Sequence, residues 1–276
     1  MKRYLNSKFD YAALVDYYDE LPLWSAPFGL KLLGMVNYRP AITALDIGFG
    51  TGFPLTELAM RLGDTTTVYG IDPWHDAIVR AKRKLELYGI QHVRILEGRS
   101  ESIPLTDRSV DLIVSNNGIN NVHDISKVLS ECSRLCRPGA QFVLTMNLDK
   151  SMFEFYSVFE NVLAAARMDH EIELMHQHIR QKRLPLGEIM AQLQGHDFMI
   201  QDLEHDQFDY RFTNGTAMLN HYFIRLAFMD AWVNILPEDK IESLFDQVEV
   251  QLNQQANILG GLKLSIPFVA INAFRK

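Results

Sequence analysis

The chain has 276 residues, of which 47% are hydrophobic and 22% are charged, and its formal net charge at pH 7 is −7. This length accommodates one large domain with insertions, or a domain with a small cap, so a second domain is not required. The negative net charge argues against a nucleic-acid partner, because binding to phosphates normally needs a basic face.

Neither a membrane span nor a metal site is predicted. No apolar run approaches the length of a spanning helix, and the residues after Met1–Lys8 do not form the apolar core of a signal peptide. We therefore expect a cytoplasmic protein. The chain has two cysteines, Cys132 and Cys136, on one face of a predicted helix. We expect both in the core, because tetrahedral zinc would need two further ligands.

An aromatic-rich segment, 17–28, comes first along the chain. It contains Tyr18 and Trp24, whose rings either dock on the core as part of an N-terminal helix or lie beside a bound ligand. Both interpretations remain open.

A buried strand then runs into three alternating glycines, Gly48, Gly50 and Gly52, and from there into a helix. Glycine allows a tight turn and a close approach of the backbone to a ligand, and the first N–H groups of a helix favour an anionic group. A dinucleotide-binding turn would have Gly or Ala where this chain has Phe53. The spacing therefore argues against NAD.

Alternating strand and helix patterns follow. Strands are predicted near 43–48, 67–72, 92–97, 110–115 and 140–147, with helical patterns between them. Such alternation predicts a parallel sheet. The second strand ends in Asp72, and an acid at that position can accept hydrogen bonds from both hydroxyls of a ribose.

The pattern changes after residue 147. Helices are predicted over 151–179, 185–194, 216–232 and 237–259, and strands over 198–203, 208–212 and 262–273. The helical stretches on either side of these strands carry many of the aromatic residues that the parallel sheet does not need.

Four segments, in chain order, resemble the motifs of class I S-adenosylmethionine-dependent methyltransferases. They are the glycine turn with Asp46 before it, the strand that ends in Asp72, Gly98–Leu105, and Ser109–Asn116, and Leu135–Leu144 resembles the strand that follows them. The resemblance is to the branch that contains the ubiquinone and menaquinone biosynthesis methyltransferases. It implies a Rossmann-like α/β fold with a seven-stranded sheet in the order 3-2-1-4-5-7-6, an antiparallel last strand, and helical lid insertions.

The same resemblance implies one methyltransferase domain over residues 1–276. Its parts would be an N-terminal cap (1–40), a cofactor-binding core (40–147) and two helical insertions (148–182 and 213–260) that form a substrate lid.

The cofactor that the resemblance implies is S-adenosylmethionine. Asp72 would hold its ribose, Asp46 its ammonium group, and Ser100 with Glu101 its adenine. Where the family often has an acid after the glycine of the third motif, this chain has Arg99. The complete predicted cofactor site consists of Tyr18, Asp46, Gly48, Gly50, Gly52, Asp72, Ser100, Glu101 and Asn116.

The methyl acceptor is expected beside the loop 115–124, because ligands of open α/β sheets lie outside the carboxyl ends of the strands, near the switch in strand order. His123 is the candidate general base. The alternative is that this loop only forms a turn and a helix cap. The predicted acceptor site consists of Trp24, Asn117, Asn120, Tyr210, His221 and Tyr222, with His176, His178 and Arg183 as further candidates, and core packing is the alternative for its aromatic residues.

The predicted function is in-line methyl transfer to a small, partly hydrophobic molecule, without a covalent enzyme intermediate or a metal. One alternative is a different group transfer from the same cofactor. Another is a non-catalytic sensor or interaction subunit that has kept the pocket. The sequence leaves the acceptor atom and the oligomeric state open.

Overall fold

The computed structural model describes Val15 and residues 24–276, and Tyr18 therefore lies outside the described residues. The strands of the described chain are β1 (Thr43–Ile47), β2 (Thr67–Asp72), β3 (Val93–Glu97), β4 (Val110–Asn116), β5 (Cys136–Asn147), β6 (Phe198–Phe212) and β7 (Leu262–Arg275). The helices are α1 (Ser25–Met35), α2 (Leu55–Leu62), α3 (His75–Leu87), α4 (Ile125–Leu135), α5 (Phe153–Ala165), α6 (Asp169–Lys182), α7 (Leu186–Gly195), α8 (Gly215–Asn220), α9 (Tyr222–Ile224), α10 (Asp230–Val233) and α11 (Ile241–Leu259).

The strands form one seven-stranded sheet in the order β3-β2-β1-β4-β5-β7-β6. The first five strands are parallel to their neighbours, whereas β7 runs antiparallel to β5, from the pair Gln141 and Phe274 to the pair Asn147 and Phe268. The predicted fold class, strand order and antiparallel last strand are confirmed.

Helices α2 and α3 pack on this sheet through apolar residues at helical spacing. The inward residues of α2 include Leu55 and Leu58, and those of α3 include Ile78 and Ala81. All four belong to one buried cluster, which also contains Val68 of β2. This periodicity, visible in the sequence, fixes the α2 and α3 faces that meet the sheet. Both cysteines are free and buried, as expected of core residues.

The structure corrects three predicted elements. The helix expected over 151–179 is two helices, α5 and α6, with Arg167 between them in a left-handed conformation (φ 57°). The two strands expected over 198–203 and 208–212 are one continuous strand, because an edge strand tolerates the exposed polar residues of its middle part. The helix expected over 216–232 is interrupted at His221, whose backbone is extended.

The described chain forms two compact units. The helical unit comprises 148–183 and 207–267, and the sheet unit comprises Val15, 24–147, 184–206 and 268–276. The glycine turn and the loop after β4 both belong to the sheet unit. Among the helices of residues 24–276, none has both the length and the apolar character needed to cross a membrane.

Candidate functional site

The glycine turn between β1 and α2 adopts backbone conformations that favour glycine at all three positions. The φ angles of Gly48, Gly50 and Gly52 are 76°, 54° and 111°. A Cβ atom on Gly48 would lie 2.8 Å from the Cα atom of Gly118. Side chains at these positions would strain the backbone, and at Gly48 would also push the next loop away. The three predicted glycines therefore set the shape of this turn.

Asp72, at the end of β2, ties the turn to the neighbouring strand. Its Oδ2 atom accepts a hydrogen bond from the N–H of Gly50 at 2.8 Å, and its Oδ1 atom accepts one from the N–H of Trp74 at 2.9 Å. Burial raises the pKa of this carboxyl, and the two hydrogen bonds oppose that rise. Because a carboxylate has about four acceptor sites, Asp72 keeps capacity for the two hydroxyls of a ribose.

Asp46, in β1, is a buried carboxyl that no donor of the described chain satisfies. The residue is 0% exposed, and neither carboxyl oxygen has a hydrogen-bond partner. Burial, followed by the charge of Asp72, raises the pKa of Asp46 well above its ordinary value. An unpaired buried carboxyl costs free energy, so this position suits a cationic or hydrogen-bond-donating group of a ligand.

The loop after β4 is locked against the end of β1, where the strand order switches. The hydroxyl of Ser115 donates a hydrogen bond to the carbonyl of Ile47 at 3.0 Å and accepts one from the N–H of Ile119 at 3.2 Å. A Cβ atom on Gly118 would overlap that same carbonyl oxygen. Sequence reasoning missed Ser115 and Gly118, although a run of polar residues and glycine directly after a buried strand was a usable signal.

Asn116 joins three segments of the sheet unit. Its side-chain amide donates a hydrogen bond to the carbonyl of Ser25 at 3.1 Å, and its Oδ1 atom accepts one from the hydroxyl of Thr145 at 2.9 Å. The start of α1 is thereby attached to the ends of β4 and β5. A role of Asn116 in cofactor binding stays a prediction.

Asn117 and Asn120 form an amide network with Asn147. Asn117 is in the left-handed conformation (φ 58°), and its Oδ1 atom accepts hydrogen bonds from Asn120 Nδ2 at 2.7 Å and Asn147 N at 3.0 Å. Asn120 Nδ2 also donates to Asn147 Oδ1 at 2.6 Å. These contacts give the asparagines a role in shaping the turn, as the alternative interpretation of the sequence proposed. Their contact with an acceptor stays a prediction.

A cavity of about 450 Å³ opens beside the glycine turn. It contains five predicted site residues, namely Trp24, Gly48, Gly50, Asn116 and Asn117. The remaining lining residues come from the turn, from α1, α2 and α3, from the residue that follows α3, and from the loop after β4: Ser25, Phe49, Thr51, Phe53, Thr56, Glu57, Met60, Lys84, Tyr88, Gly118 and Asn121. Backbone, aromatic and amide groups therefore line one concave surface, as is common for small-molecule sites.

Several predicted residues lie outside the lining of this cavity. Ser100 is buried near the start of the segment after β3. Glu101 Oε1 accepts hydrogen bonds from the N–H groups of His123 at 2.9 Å and Asp124 at 3.3 Å. Glu101 thus holds the loop after β4, and the side chain of His123 is exposed. Asp124 caps α4 as predicted, by accepting from Lys127 N at 3.0 Å.

The other predicted acceptor residues belong to the helical unit. The ring of His221 lies 6.2 Å from that of Tyr210 and 5.4 Å from that of Phe212. Its Nδ1 atom is buried and has no hydrogen-bond partner in the described chain, and burial lowers its pKa. Tyr222 is half-buried. Tyr210 and His221 therefore form an aromatic cluster, and acceptor contacts by these three residues stay predictions.

Comparisons with known proteins agree with the motifs. Residues 45–144 match the family model described as a methyltransferase domain. A demethylmenaquinone methyltransferase of Bacillus licheniformis is 30% identical over 129 residues, which are 47% of this chain and 55% of the relative. The match thus spans about half the length of that curated relative.

Solved structures support the fold over most of the chain. The YcgJ protein of Bacillus subtilis superposes with a TM-score of 0.60 at 16% identity, covering 90% of this chain and 97% of that protein. A geranyl diphosphate methyltransferase in complex with GPP and sinefungin gives a TM-score of 0.55 at 17% identity, covering 91% and 78%. At these identities the likeness concerns the fold alone.

The matched methyltransferase domain covers the glycine turn and the strands β2 to β4, with most of β5. The same residues carry the four motifs. This domain match, together with the four motifs, supports a class I S-adenosylmethionine-dependent methyltransferase domain over residues 45–144, with S-adenosylmethionine as its cofactor.

Proposed function

We propose that this protein transfers a methyl group from S-adenosylmethionine to a small, partly hydrophobic acceptor by in-line displacement. The observation that carries the proposal is the glycine turn held by Asp72, with the N–H of Gly50 fixed at 2.8 Å from its carboxylate. This arrangement places a candidate ribose acceptor beside the half-buried backbone of the glycine turn. When bound, the cofactor supplies a methyl group that its sulfonium makes electrophilic.

In this proposal, each cofactor-binding residue contacts a different part of S-adenosylmethionine. Asp72 accepts from the ribose hydroxyls, Ser100 and Glu101 lie along the adenine, and the backbone at Gly48 and Gly50 faces the methionine end. The unpaired carboxyl of Asp46 supports the ammonium assignment, because a cation would relieve its buried, unsatisfied state. These assignments are expectations for the bound state.

The contribution of the protein to the reaction is alignment and exclusion of water. The displacement needs the nucleophile, the methyl carbon and the sulfur on one axis. Holding the acceptor in this position raises the rate of methyl transfer without a covalent enzyme intermediate. The cavity offers the ring of Trp24 and the amide of Asn117 for this purpose. Binding of the cofactor and the acceptor would displace water from the cavity. The reacting groups would then lie among few charged side chains.

The acceptor class is proposed from composition and from the relatives. A net charge of −7 gives little attraction for nucleic acid. The curated relative is named for a demethylated menaquinone, which supports a hydrophobic acceptor of small size. A cytoplasmic location also stays a prediction.

The test is methyl incorporation from radiolabelled S-adenosylmethionine into a cell extract. We expect a labelled small molecule that passes an ultrafiltration membrane. A protein that binds the cofactor but labels nothing would be a sensor or an interaction subunit. Label from another part of the cofactor, without methyl label, would indicate a different group transfer.

We expect His123→Ala to leave both cofactor affinity and turnover within about tenfold of the wild type. The imidazole is exposed, and the backbone N–H rather than the ring makes the contact with Glu101. Loss of a general base lowers turnover by about 10²- to 10⁴-fold. A fall of that size in steady-state kinetics, with unchanged cofactor affinity, would instead establish the predicted base.

We expect hydrogen exchange over 213–260 to slow when S-adenosylhomocysteine and acceptor are both bound. Loops and short helices that close over ligands come from the less stable parts of a fold. The segment contains a π-helical turn, Arg225–Met229, between short helices, and such turns occur frequently at functional sites. Peptides from α7, to which no ligand contact is assigned, are the internal control. Equal exchange in the free and bound protein would rule out a lid function.

A further inference from the structure

Arg183, directly after α6 in the helical unit, is a buried cation without an anionic partner in the described part of the chain. The residue is 3% exposed, yet neither Nε nor Nη1 of its guanidinium has a hydrogen-bond partner among the described residues. Arginine stays protonated in proteins and carries five donors. A buried charge of this kind is normally paired, so a folded chain that leaves it unpaired bears a free-energy cost.

The surroundings of Arg183 hold its side chain in place without neutralising it. The guanidinium carbon lies 5.1 Å from the centre of the Tyr156 ring. The hydroxyl of Tyr156 in turn accepts a hydrogen bond from Trp232 Nε1 at 3.1 Å, and both rings are buried. A cation over an aromatic face is attracted to it, but the ring accepts none of the free N–H groups.

The residue before Arg183, Lys182, adds a second positive charge. His178 of the same helix responds to both charges. Burial, then the charges of Arg183 and Lys182, lowers the pKa of the His178 imidazole. The electrostatic environment at the end of α6 therefore favours an anion.

We propose that Arg183 binds an oxyanion of the methyl acceptor, a carboxylate or a phosphate, through its unpaired N–H groups. The planar guanidinium matches both groups by parallel hydrogen bonds. The assignment to the acceptor rests on the proposed methyltransferase function. The anion site itself does not.

Thermal unfolding of the complete chain, without cofactor, tests the anion site. The probes are sodium phosphate and sodium benzoate against sodium chloride at equal ionic strength. We expect the melting temperature of the wild type to rise with one of the two oxyanions, in a saturable manner, and not with chloride. The salt that raises the melting temperature shows whether the site binds a phosphate or a carboxylate. An equal response to all three salts would overturn the proposal.

Variants separate a binding role from a structural one. Arg183→Met should lose the oxyanion response and melt, without anion, at or above the wild-type temperature, because an unpaired buried charge has been removed. Lys182→Met, which removes an exposed charge next to it, should keep the response. Arg183→Lys keeps the charge without the planar fork and should need at least tenfold more oxyanion. A lower melting temperature for Arg183→Met together with a retained oxyanion response would assign the arginine to structure.

Two further readouts link the site to the acceptor. Cofactor affinity by calorimetry should be equal in the wild type and Arg183→Met, so a failure of cofactor binding counts against the proposed function and not against the anion site. Labelled products of the extract assay should bind to an anion-exchange resin. Label found only in the unretained fraction would overturn the assignment of the oxyanion to the acceptor.

Discussion

Replacing Asp72 with alanine should weaken S-adenosylmethionine binding by roughly 1.5 to 3 kcal/mol, or about 10- to 150-fold, which is the range for hydrogen bonds to a charged group. The substitution removes the proposed ribose acceptor. It also releases the N–H of Gly50, which the carboxylate holds at 2.8 Å, so the glycine turn loses its attachment to β2. Titration calorimetry measures the effect directly.

The matched control is Asp64→Ala, because Asp64 is an exposed acid that follows α2. That variant should bind the cofactor like the wild type. Unchanged affinity in Asp72→Ala would contradict the ribose assignment, whatever its effect on stability.

Gly118→Ala should destabilise the fold by about 1 to 3 kcal/mol, the usual range for overpacking, and should weaken cofactor binding at the same time. The new methyl group would overlap the carbonyl oxygen of Ile47 and lie 2.8 Å from Ser115 Oγ. Both neighbours are fixed, since the hydroxyl and the carbonyl are hydrogen-bonded to each other at 3.0 Å. The loop after β4 must therefore move away from the end of β1.

Urea unfolding with Gly34→Ala as the control separates this steric effect from a general effect of the substitution. Gly34 lies in α1 with no atom near its Cβ position, so alanine there should be neutral or stabilising because of its helix propensity. Equal stability of Gly118→Ala and the wild type would mean that the β1 and β4 ends are not locked together.

The sequence predicted those parts of the site that depend on local chemistry. Alternating glycines after a buried strand predict the turn, and an acid at the end of the next strand predicts the position of Asp72. Each pattern can be recognised from a few consecutive residues. The hydrophobic period likewise predicted the parallel strands and the inward faces of α2 and α3.

Features that depend on contacts between distant segments were not predicted. The approach of Gly118 to Gly48, and the hydrogen bonds from His123 N and Asp124 N to Glu101, join segments that the strand order brings together. The continuity of β6 was missed for a related reason. The polar residues in the middle of β6 are typical of a loop, and only the position of β6 at the edge of the sheet explains why they form a strand.

The central claim is that the glycine turn and Asp72 bind S-adenosylmethionine, and calorimetric titration of the wild-type chain tests it most directly. S-adenosylmethionine and S-adenosylhomocysteine should each bind with one site per chain, and NAD should give no heat of binding. Binding of NAD, or no binding of either S-adenosyl compound, would contradict this assignment.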